Sequence, residues 1–133
     1  MRPRVRSPAN HGAIVKYLMF IKNDERYRQQ PMPQGLMDAM GKFVEKSFKN
    51  GSLVDTAGLK PSSEGARIRV SHGRSKTTDG PFTEAKEVIG GYAIVEAATR
   101  EQAMKIAQEF VDLHLKHWPE FEFECEIRPM EAM

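Results

Sequence analysis

The sequence contains few of the features that would assign a function directly. Cys125 is its single cysteine, so no disulfide can form within the chain, and this favours a reducing, cytoplasmic location. No apolar run approaches the roughly 18 residues of a membrane-spanning helix. Residues 1–12 are rich in arginine and proline and lack the apolar core of a secretory signal. We therefore expect a flexible N-terminal tail and no association with membranes.

The charge balance and the missing cofactor motifs exclude further classes. The chain has 20 Lys and Arg residues and 18 Asp and Glu residues, which gives a net charge of +2. This charge is too small to indicate nucleic-acid binding. The chain has no dinucleotide-binding glycine motif, no phosphate-binding loop and no nucleophile elbow. His114 and His117 have the spacing of one helix face but lack cysteine partners, so no metal site is predicted. Any chemistry is expected to need no cofactor.

The composition is that of one soluble domain. The chain has 133 residues, of which 40% are hydrophobic and 29% charged, and we assign residues 13–133 to a single domain. Residues 14–21 and 88–97 are apolar on both faces, which predicts two central strands covered from both sides. Residues 52–59 and 120–128 are apolar on one face and are predicted to be one-sided strands.

Two helices are predicted between these strands. The first begins at Pro33 and ends before Gly51, which suits a left-handed cap. Its apolar stripe predicts burial of Leu36, Met37, Met40, Phe43, Val44 and Phe48. Thr99 and Gln102 form the capping box of the second helix, which Pro119 ends. The buried stripe of this helix is predicted to be Ala103, Ile106, Ala107, Phe110 and Leu113.

The order of these elements predicts the fold. Residues 67–72 alternate between polar and apolar side chains and turn at Gly73 into residues 75–78, which predicts a hairpin. Strand, helix, strand, hairpin, strand, helix, strand fits an α+β, ferredoxin-like βαββαβ sheet with residues 66–78 as an inserted hairpin. Because both helices would cover one face of that sheet, its other apolar face needs a cover. A second copy of the chain would supply it, so we predict a homodimer.

One segment, residues 78–92, has residue types that neither a core nor an ordinary surface requires. It begins Thr-Asp-Gly-Pro-Phe-Thr-Glu-Ala-Lys-Glu and ends Gly-Gly-Tyr, and we call it the signature segment. Asp79 is suited to open a turn, and Phe82 is expected to fill a core or a partner surface. Thr83 is expected to cap one short helical turn. The glycine pair at 90–91 lies in a predicted strand, which indicates a bulge or a close backbone approach.

This segment resembles the signature of the YCII-related family of small bacterial proteins, of the type named DGPF after its four-residue core at 79–82. The resemblance covers roughly residues 14–130 and implies a dimeric α+β barrel. It also implies an acid–base pair of an aspartate with a histidine early in the first helix. This chain has no histidine between residues 12 and 71, so only Asp79 has a counterpart. DGPF-type genes often neighbour genes for extracytoplasmic-function sigma factors, which implies a functional link to a sigma factor.

The candidate ligand-binding residues lie in or beside the signature segment. They are Asp79, Phe82, Glu84, Lys86, Glu87, Tyr92, His72 and Arg74. Asp79 would act as a general base or ligand anchor, or would only shape its loop as an Asx-turn. His72 would be a proton shuttle or an exposed residue at a strand end. Tyr92 would offer its hydroxyl in a cleft beside the glycine pair, or would pack in the core or the dimer face.

The charged residues after Phe82 also allow two interpretations. Glu84, Lys86 and Glu87 would form a polar site together with Asp79. Alternatively, they would form a solvated turn whose charges pair with each other or with the arginines at 67, 69 and 74. Paired carboxylates suit acid–base work only when their environments separate their pKa values, which a sequence does not show.

Two functions therefore stay open. The first is a small-molecule-binding or regulatory dimer with a polar cleft at the signature loop, residues 79–87. The alternative is a cofactor-free small-molecule enzyme that uses acid–base carboxylates. A pocket holding at least two of Asp79, Glu84, Lys86 and His72 would favour a ligand site. A buried Phe82, with the loop carboxylates bonded to backbone or arginine, would favour a structural loop.

Overall fold

A computed structural model describes residues 14–132 of the chain, and the predicted tail, residues 1–12, lies outside the described residues. The strands in this part are β1 (Val15–Asn23), β2 (Leu53–Gly58), β3 (Ala66–Ser71), β4 (Arg74–Asp79), β5 (Val88–Ala97) and β6 (Phe123–Pro129). The two α-helices are α1 (Gln34–Lys49) and α2 (Arg100–His117). Two short 3-10 helices, Glu25–Gln29 and Ser62–Glu64, follow β1 and β2. No helix in residues 14–132 is long and apolar enough to cross a membrane.

Four strands form one antiparallel sheet in the order β2-β5-β1-β6. The two strands whose sequences are apolar on both faces, β1 and β5, occupy the centre of this sheet, as predicted. The α+β class is confirmed. The last strand begins at Phe123 and not at Glu120, because residues 118–121 form a turn after α2, in which the Phe121 N–H donates to the Trp118 carbonyl at 3.0 Å.

The glycine pair of the signature segment forms an irregularity in β5. Ile21 of β1 pairs with Gly91, whereas Lys22 pairs with Ile89, so Gly90 is an extra residue without a partner on β1. A Cβ atom on Gly90 would lie 2.7 Å from the side-chain oxygen of Asn23. A Cβ atom on Gly91 would lie 3.1 Å from the Ala57 carbonyl oxygen. The bulge and the close approach predicted for these glycines are both present.

The predicted hairpin is present as a separate two-stranded sheet of β3 and β4. His72 and Gly73 form its two-residue turn with positive φ angles of 53° and 75°, as a turn of the type I′ kind requires. His72 is therefore an exposed turn residue, which is the second of the two interpretations given for it. Ile68 and Val70 on one face of the hairpin are 69% and 75% exposed.

The core lies between the sheet and the two helices. Its buried residues are Tyr17, Met19, Leu53, Val95, Ala97, Ala103 and Ala107. The capping box of α2 is confirmed, since the Gln102 N–H donates to the Thr99 hydroxyl at 3.1 Å and the Ala98 N–H donates to the Gln102 side chain at 2.9 Å.

The predicted stripe of α1 is wider than its buried face. Leu36 is fully buried, whereas Met37 is 51% and Phe48 is 47% exposed, so the prediction of burial was wrong for those two residues. Met37 and Phe48 lie about three turns apart on one line of the helix, adjacent to the line through Leu36 and Ser47 that faces the core. The apolar stripe of α1 is therefore wider than the line of residues that the core buries.

Candidate functional site

The signature loop is fixed to the turn that follows β2. The Phe82 N–H donates to the Ser62 hydroxyl oxygen at 3.1 Å, and the Gly80 N–H donates to the Gly65 carbonyl at 2.9 Å. A Cβ atom on Gly80 would lie 1.7 Å from the Ser62 carbonyl oxygen. Position 80 therefore requires glycine because the two backbones touch there.

Glu25 extends this contact to the end of β1. Its carboxylate accepts hydrogen bonds from the Ser62 hydroxyl and from the Ser62 N–H, both at 2.6 Å. These bonds hold the pKa of the Glu25 carboxyl below its usual range. Glu25, Ser62 and Phe82 thus connect three loops, and we call this chain of hydrogen bonds the Ser62 network. Glu25 was not among the predicted residues, since nothing in a polar loop marks a contact with a serine far along the chain.

Removal of the Ser62 hydroxyl should weaken the fold. Ser62→Ala loses the two hydroxyl bonds, one to the Glu25 carboxylate and one from the Phe82 N–H, and keeps the bond from its backbone N–H to Glu25. We therefore expect the free energy of unfolding to fall by about 1–2 kcal/mol. Urea unfolding of this variant and of Ser75→Ala, which alters an exposed residue of β4, would measure the difference. Equal stability of the two variants would contradict the bracing role of the network.

Phe82 and Glu84 are both engaged by one arginine. Phe82 is half-buried, with the Arg67 guanidinium 3.9 Å from the centre of its ring. Arg67 also forms an ion pair with the exposed Glu84 carboxylate. The pKa of the Glu84 carboxyl lies below its usual range because of a hydrogen bond from its own backbone N–H and the bond from Arg67. Glu84 therefore takes part in the arginine pairing that was its second interpretation.

The other charged candidates do not come together in a pocket of the single chain. Asp79 is the exposed last residue of β4, and Lys86 and Glu87 are exposed in the loop. Arg74 lies at the far end of the hairpin, next to the turn that contains His72. Thr83 was expected to cap a helical turn; instead residues 82–85 form one simple turn, closed by the Ala85 N–H and the Phe82 carbonyl at 3.0 Å. The ligand-binding role of the charged candidates and of His72 stays a prediction.

A cleft of about 280 Å³ lies beside the glycine pair, between the sheet, the two α-helices and the first 3-10 helix. Its lining residues are Met19, Phe20, Ile21, Asn23, Tyr27, Arg28, Met32, Met40, Thr56, Ala57, Gly58, Leu59, Gly90, Gly91, Tyr92, Ala93, Phe110, His114 and Phe121. Of the eight predicted residues, Tyr92 lines this cleft. Its hydroxyl donates to the Asp55 carboxylate at 2.8 Å, a bond that raises the pKa of Tyr92.

Besides Thr56 and two tyrosines, the mostly apolar lining contains three polar residues. Asn23 is 2% exposed; its side-chain nitrogen donates to the Asp24 carbonyl at 3.1 Å, and its side-chain oxygen has no partner within residues 14–132. His114 is buried, and its Nδ1 lies 3.0 Å from the Phe110 carbonyl oxygen. Because a carbonyl only accepts, Nδ1 carries the proton, and Nε2 is the acceptor of the neutral ring. Arg28, which is exposed, donates to the Leu59 carbonyl.

An aromatic cluster packs His114 against the end of the sheet. The His114 ring lies 4.6 Å from Phe110 and 5.0 Å from Phe123, measured between ring centres. Phe121 lies 4.7 Å from Tyr27 and 4.8 Å from Trp118. This packing removes water from His114, and burial lowers the pKa of its ring below the ordinary value.

The depressed pKa of His114 predicts a pH dependence of stability. The unfolded chain protonates His114 near its ordinary pKa of about 6.5, whereas the folded chain protonates it only at lower pH. The contribution of the neutral, buried His114 to the free energy of unfolding should therefore be fully present above about pH 6.5 and should be lost as the pH falls towards the folded pKa. Urea unfolding at pH 7.5 and pH 5 would show the loss. His114→Gln should reduce the difference between the two pH values, whereas His117→Gln should keep it. A pH dependence that is the same in both variants would refute this assignment.

Comparison with known proteins assigns the family. The family model described as the YCII-related domain matches residues 15–111, a range that includes β1 to β5, the signature loop and most of α2. The chain belongs to the YCII-related family. It is also similar to an uncharacterized protein of Rhizobium meliloti (strain 1021), with 28% identity over 96 residues, which is 70% of this chain and 77% of the relative. The YCII-related match contains the Ser62 network and most of the cleft lining, and neither comparison names an activity.

Proposed function

We propose that this YCII-related protein binds a small, largely apolar molecule in the cleft beside Gly90 and Gly91. One observation carries this proposal: an open cleft in the folded chain is lined by Gly90 and Gly91, two consecutive strand residues without side chains. Glycine weakens a strand interior and often marks a place where another backbone or a ligand approaches closely. A concave, apolar site with few polar groups is the usual form of a ligand pocket.

The signature loop supports this site from outside. The Ser62 network joins the first 3-10 helix, which contributes Tyr27 and Arg28 to the cleft, to the segment after β2, which contributes Leu59. In this proposal, the loop braces the mouth of the cleft and does not touch the ligand. A polar ligand site at Asp79, Lys86 and Glu87 stays a separate prediction, and it needs a second subunit or another molecule to enclose these exposed residues.

Calorimetric titration with 1-octanol would test the binding proposal. We expect saturable binding of one molecule per chain, because the cleft is present in each copy. A probe of this kind has an apolar body and one hydroxyl that can donate to the acceptor nitrogen of His114. An absence of saturable binding up to the solubility limit of the probe would overturn the proposal.

We also propose that two copies associate through the sheet face opposite the helices, as ferredoxin-like domains of a dimeric α+β barrel. With the β3–β4 hairpin set aside as an insertion, the sheet order agrees with the βαββαβ arrangement. The opposite face has a half-buried apolar pair at its centre, Leu18 with Ile94. A second sheet would complete their burial.

Analytical ultracentrifugation would test this association. Leu18→Glu places a charge at the centre of the proposed interface and outside the cleft lining, so we expect the variant to sediment as a monomer. Leu115 of α2 is 59% exposed, and the variant Leu115→Glu should sediment as the unaltered protein does. If the unaltered protein sediments as a monomer, the proposed dimer is contradicted.

A cofactor-free enzyme is the second candidate function, and His114 is the observation that favours it. Its neutral ring lines the cleft with Nε2 unprotonated, which is the state of a general base. The carboxylates predicted for that role are placed differently, since Glu84 pairs with Arg67 and Asp79 is exposed outside the cleft. A regulatory role, a cytoplasmic location and a link to a sigma factor stay predictions from the sequence.

A further inference from the structure

We infer that the ligand of the cleft is a small monocarboxylic acid with an apolar body, whose carboxylate pairs with Arg28 at the mouth. This inference rests on the proposed binding function and adds the chemical class of the ligand. It follows from the distribution of charge and polar groups around the cleft.

Within residues 14–132, Arg28 is the one charged side chain that lines the cleft. Two carboxylates directly before it in the chain, at the N-cap and in the first turn of the short helix, are already engaged. Asp24 forms an ion pair with Arg26, and both oxygens of Glu25 accept hydrogen bonds from Ser62. Glu25 is close enough for its pKa to be lowered by Arg28, yet its oxygens are directed to Ser62. The field at the mouth therefore favours an anion.

The guanidinium of Arg28 is held in place and keeps donors to spare. One Nη atom donates to the Leu59 carbonyl, and the group lies 5.6 Å from the ring centre of Tyr27. A guanidinium has five N–H groups, so this single bond leaves enough for a two-point contact with a carboxylate. Because Arg28 is exposed while most of the lining is not, the charge lies at the open side of the cleft.

The interior is unsuited to a second charge. Met19, Met40 and Phe110 form apolar walls, and the buried groups among them, Asn23 and His114, present an unpaired oxygen and a neutral acceptor nitrogen. Acceptor atoms repel a carboxylate, so an anionic group would be favoured at the mouth and disfavoured inside. This arrangement indicates one negative charge at one end of an apolar molecule.

Octanoate and 1-octanol, which share an eight-carbon chain, separate this inference from the binding proposal. Titration at pH 7 in low salt should show octanoate binding about tenfold more tightly than 1-octanol, since charge-assisted bonds to a held arginine typically contribute on the order of this factor. Arg28→Gln should reduce the affinity for octanoate about tenfold and change the affinity for 1-octanol less than twofold. Arg28→Lys should keep part of the preference, because it keeps the charge without the planar fork.

Arg100→Gln is the matched control. Arg100 is the exposed first residue of α2, and it is not part of the cleft lining. Its replacement should leave the affinity for both probes unchanged. If 1-octanol binds as tightly as octanoate, or if Arg28→Gln and Arg100→Gln bind octanoate equally, the inference is overturned and the binding proposal stands. If neither probe binds, both fail.

Discussion

Gly80→Ala should lower the free energy of unfolding by about 2–3 kcal/mol, the largest stability effect that we expect from a single substitution in this chain. The added Cβ would lie 1.7 Å from the Ser62 carbonyl oxygen and 2.6 Å from its carbon. Both are backbone atoms, so no side chain can rotate away to relieve the contact. The loop must leave the Ser62 turn, and the bond between the Phe82 N–H and Ser62 should be lost with it.

Gly41→Ala is the matched control for this substitution. Gly41 lies inside α1, and a Cβ atom there would meet nothing within 4 Å. Alanine is the better helix former, so this variant should be more stable by about 0.5–1 kcal/mol. Urea unfolding measures both variants. If Gly80→Ala is as stable as Gly41→Ala, the close contact between the signature loop and Ser62 is not present in solution.

Ala93→Phe should weaken binding of 1-octanol at least tenfold, the largest expected effect on the proposed function. Ala93 lines the cleft from β5, where it pairs with Met19 and Thr56 of the neighbouring strands. A phenyl ring at this position would occupy the space that the ligand needs. Because Ala93 also packs against the core, the larger side chain should cost about 1–3 kcal/mol of stability.

Ala98→Phe controls for the introduction of an aromatic ring near the same strand. Ala98 is exposed and directly follows β5, outside the cleft. Calorimetric titration should find the affinity of this variant for 1-octanol unchanged. Undiminished binding by Ala93→Phe, in a variant that is shown to be folded, would place the ligand elsewhere.

Patterns that act over a few residues predicted most of the fold. Residues 14–21 and 88–97 are apolar on both faces, and this pattern identified the two central strands, because it is typical of strands away from the edge of a sheet. Thr99 and Gln102 predicted the start of α2, since capping depends only on neighbours along the chain. The glycine pair at 90–91 predicted an irregular strand for the same local reason.

The glycine pair predicted a cleft beside Tyr92, but most residues that enclose the cleft could not be predicted in this way, because they meet through contacts between distant segments. Glu25 and Ser62 meet only when the segments after β1 and β2 are packed side by side. His114 has the spacing of a surface residue near a helix end, and it is buried because Phe121 and Phe123 fold back over it from the next element. The aromatic residues that follow Trp118 were the one available signal, and they do not identify which helix residue they cover.

The partners of the charged residues in the signature segment could not be predicted either, because they also depend on distant contacts. Glu84 is paired by an arginine of β3, a strand whose register with β4 sets which side chains approach the loop. Charge crowding in a short segment therefore predicts ion pairs as readily as it predicts a binding site. In this fold the glycines of the segment, at 80 and 90, have the most specific structural roles, one at the Ser62 turn and one at the cleft.

The most direct test of the proposed function is a nuclear magnetic resonance titration of the protein labelled with ¹³C in its methionine methyl groups, with 1-octanol as the added probe. Met19, Met32 and Met40 line the cleft, whereas Met37 and Met104 are exposed outside it. We predict saturable shifts for the three cleft methyl groups and unchanged positions for the two exposed ones. Shifts confined to the exposed methyl groups, or no saturable shift in any of the five, would contradict a ligand site in this cleft.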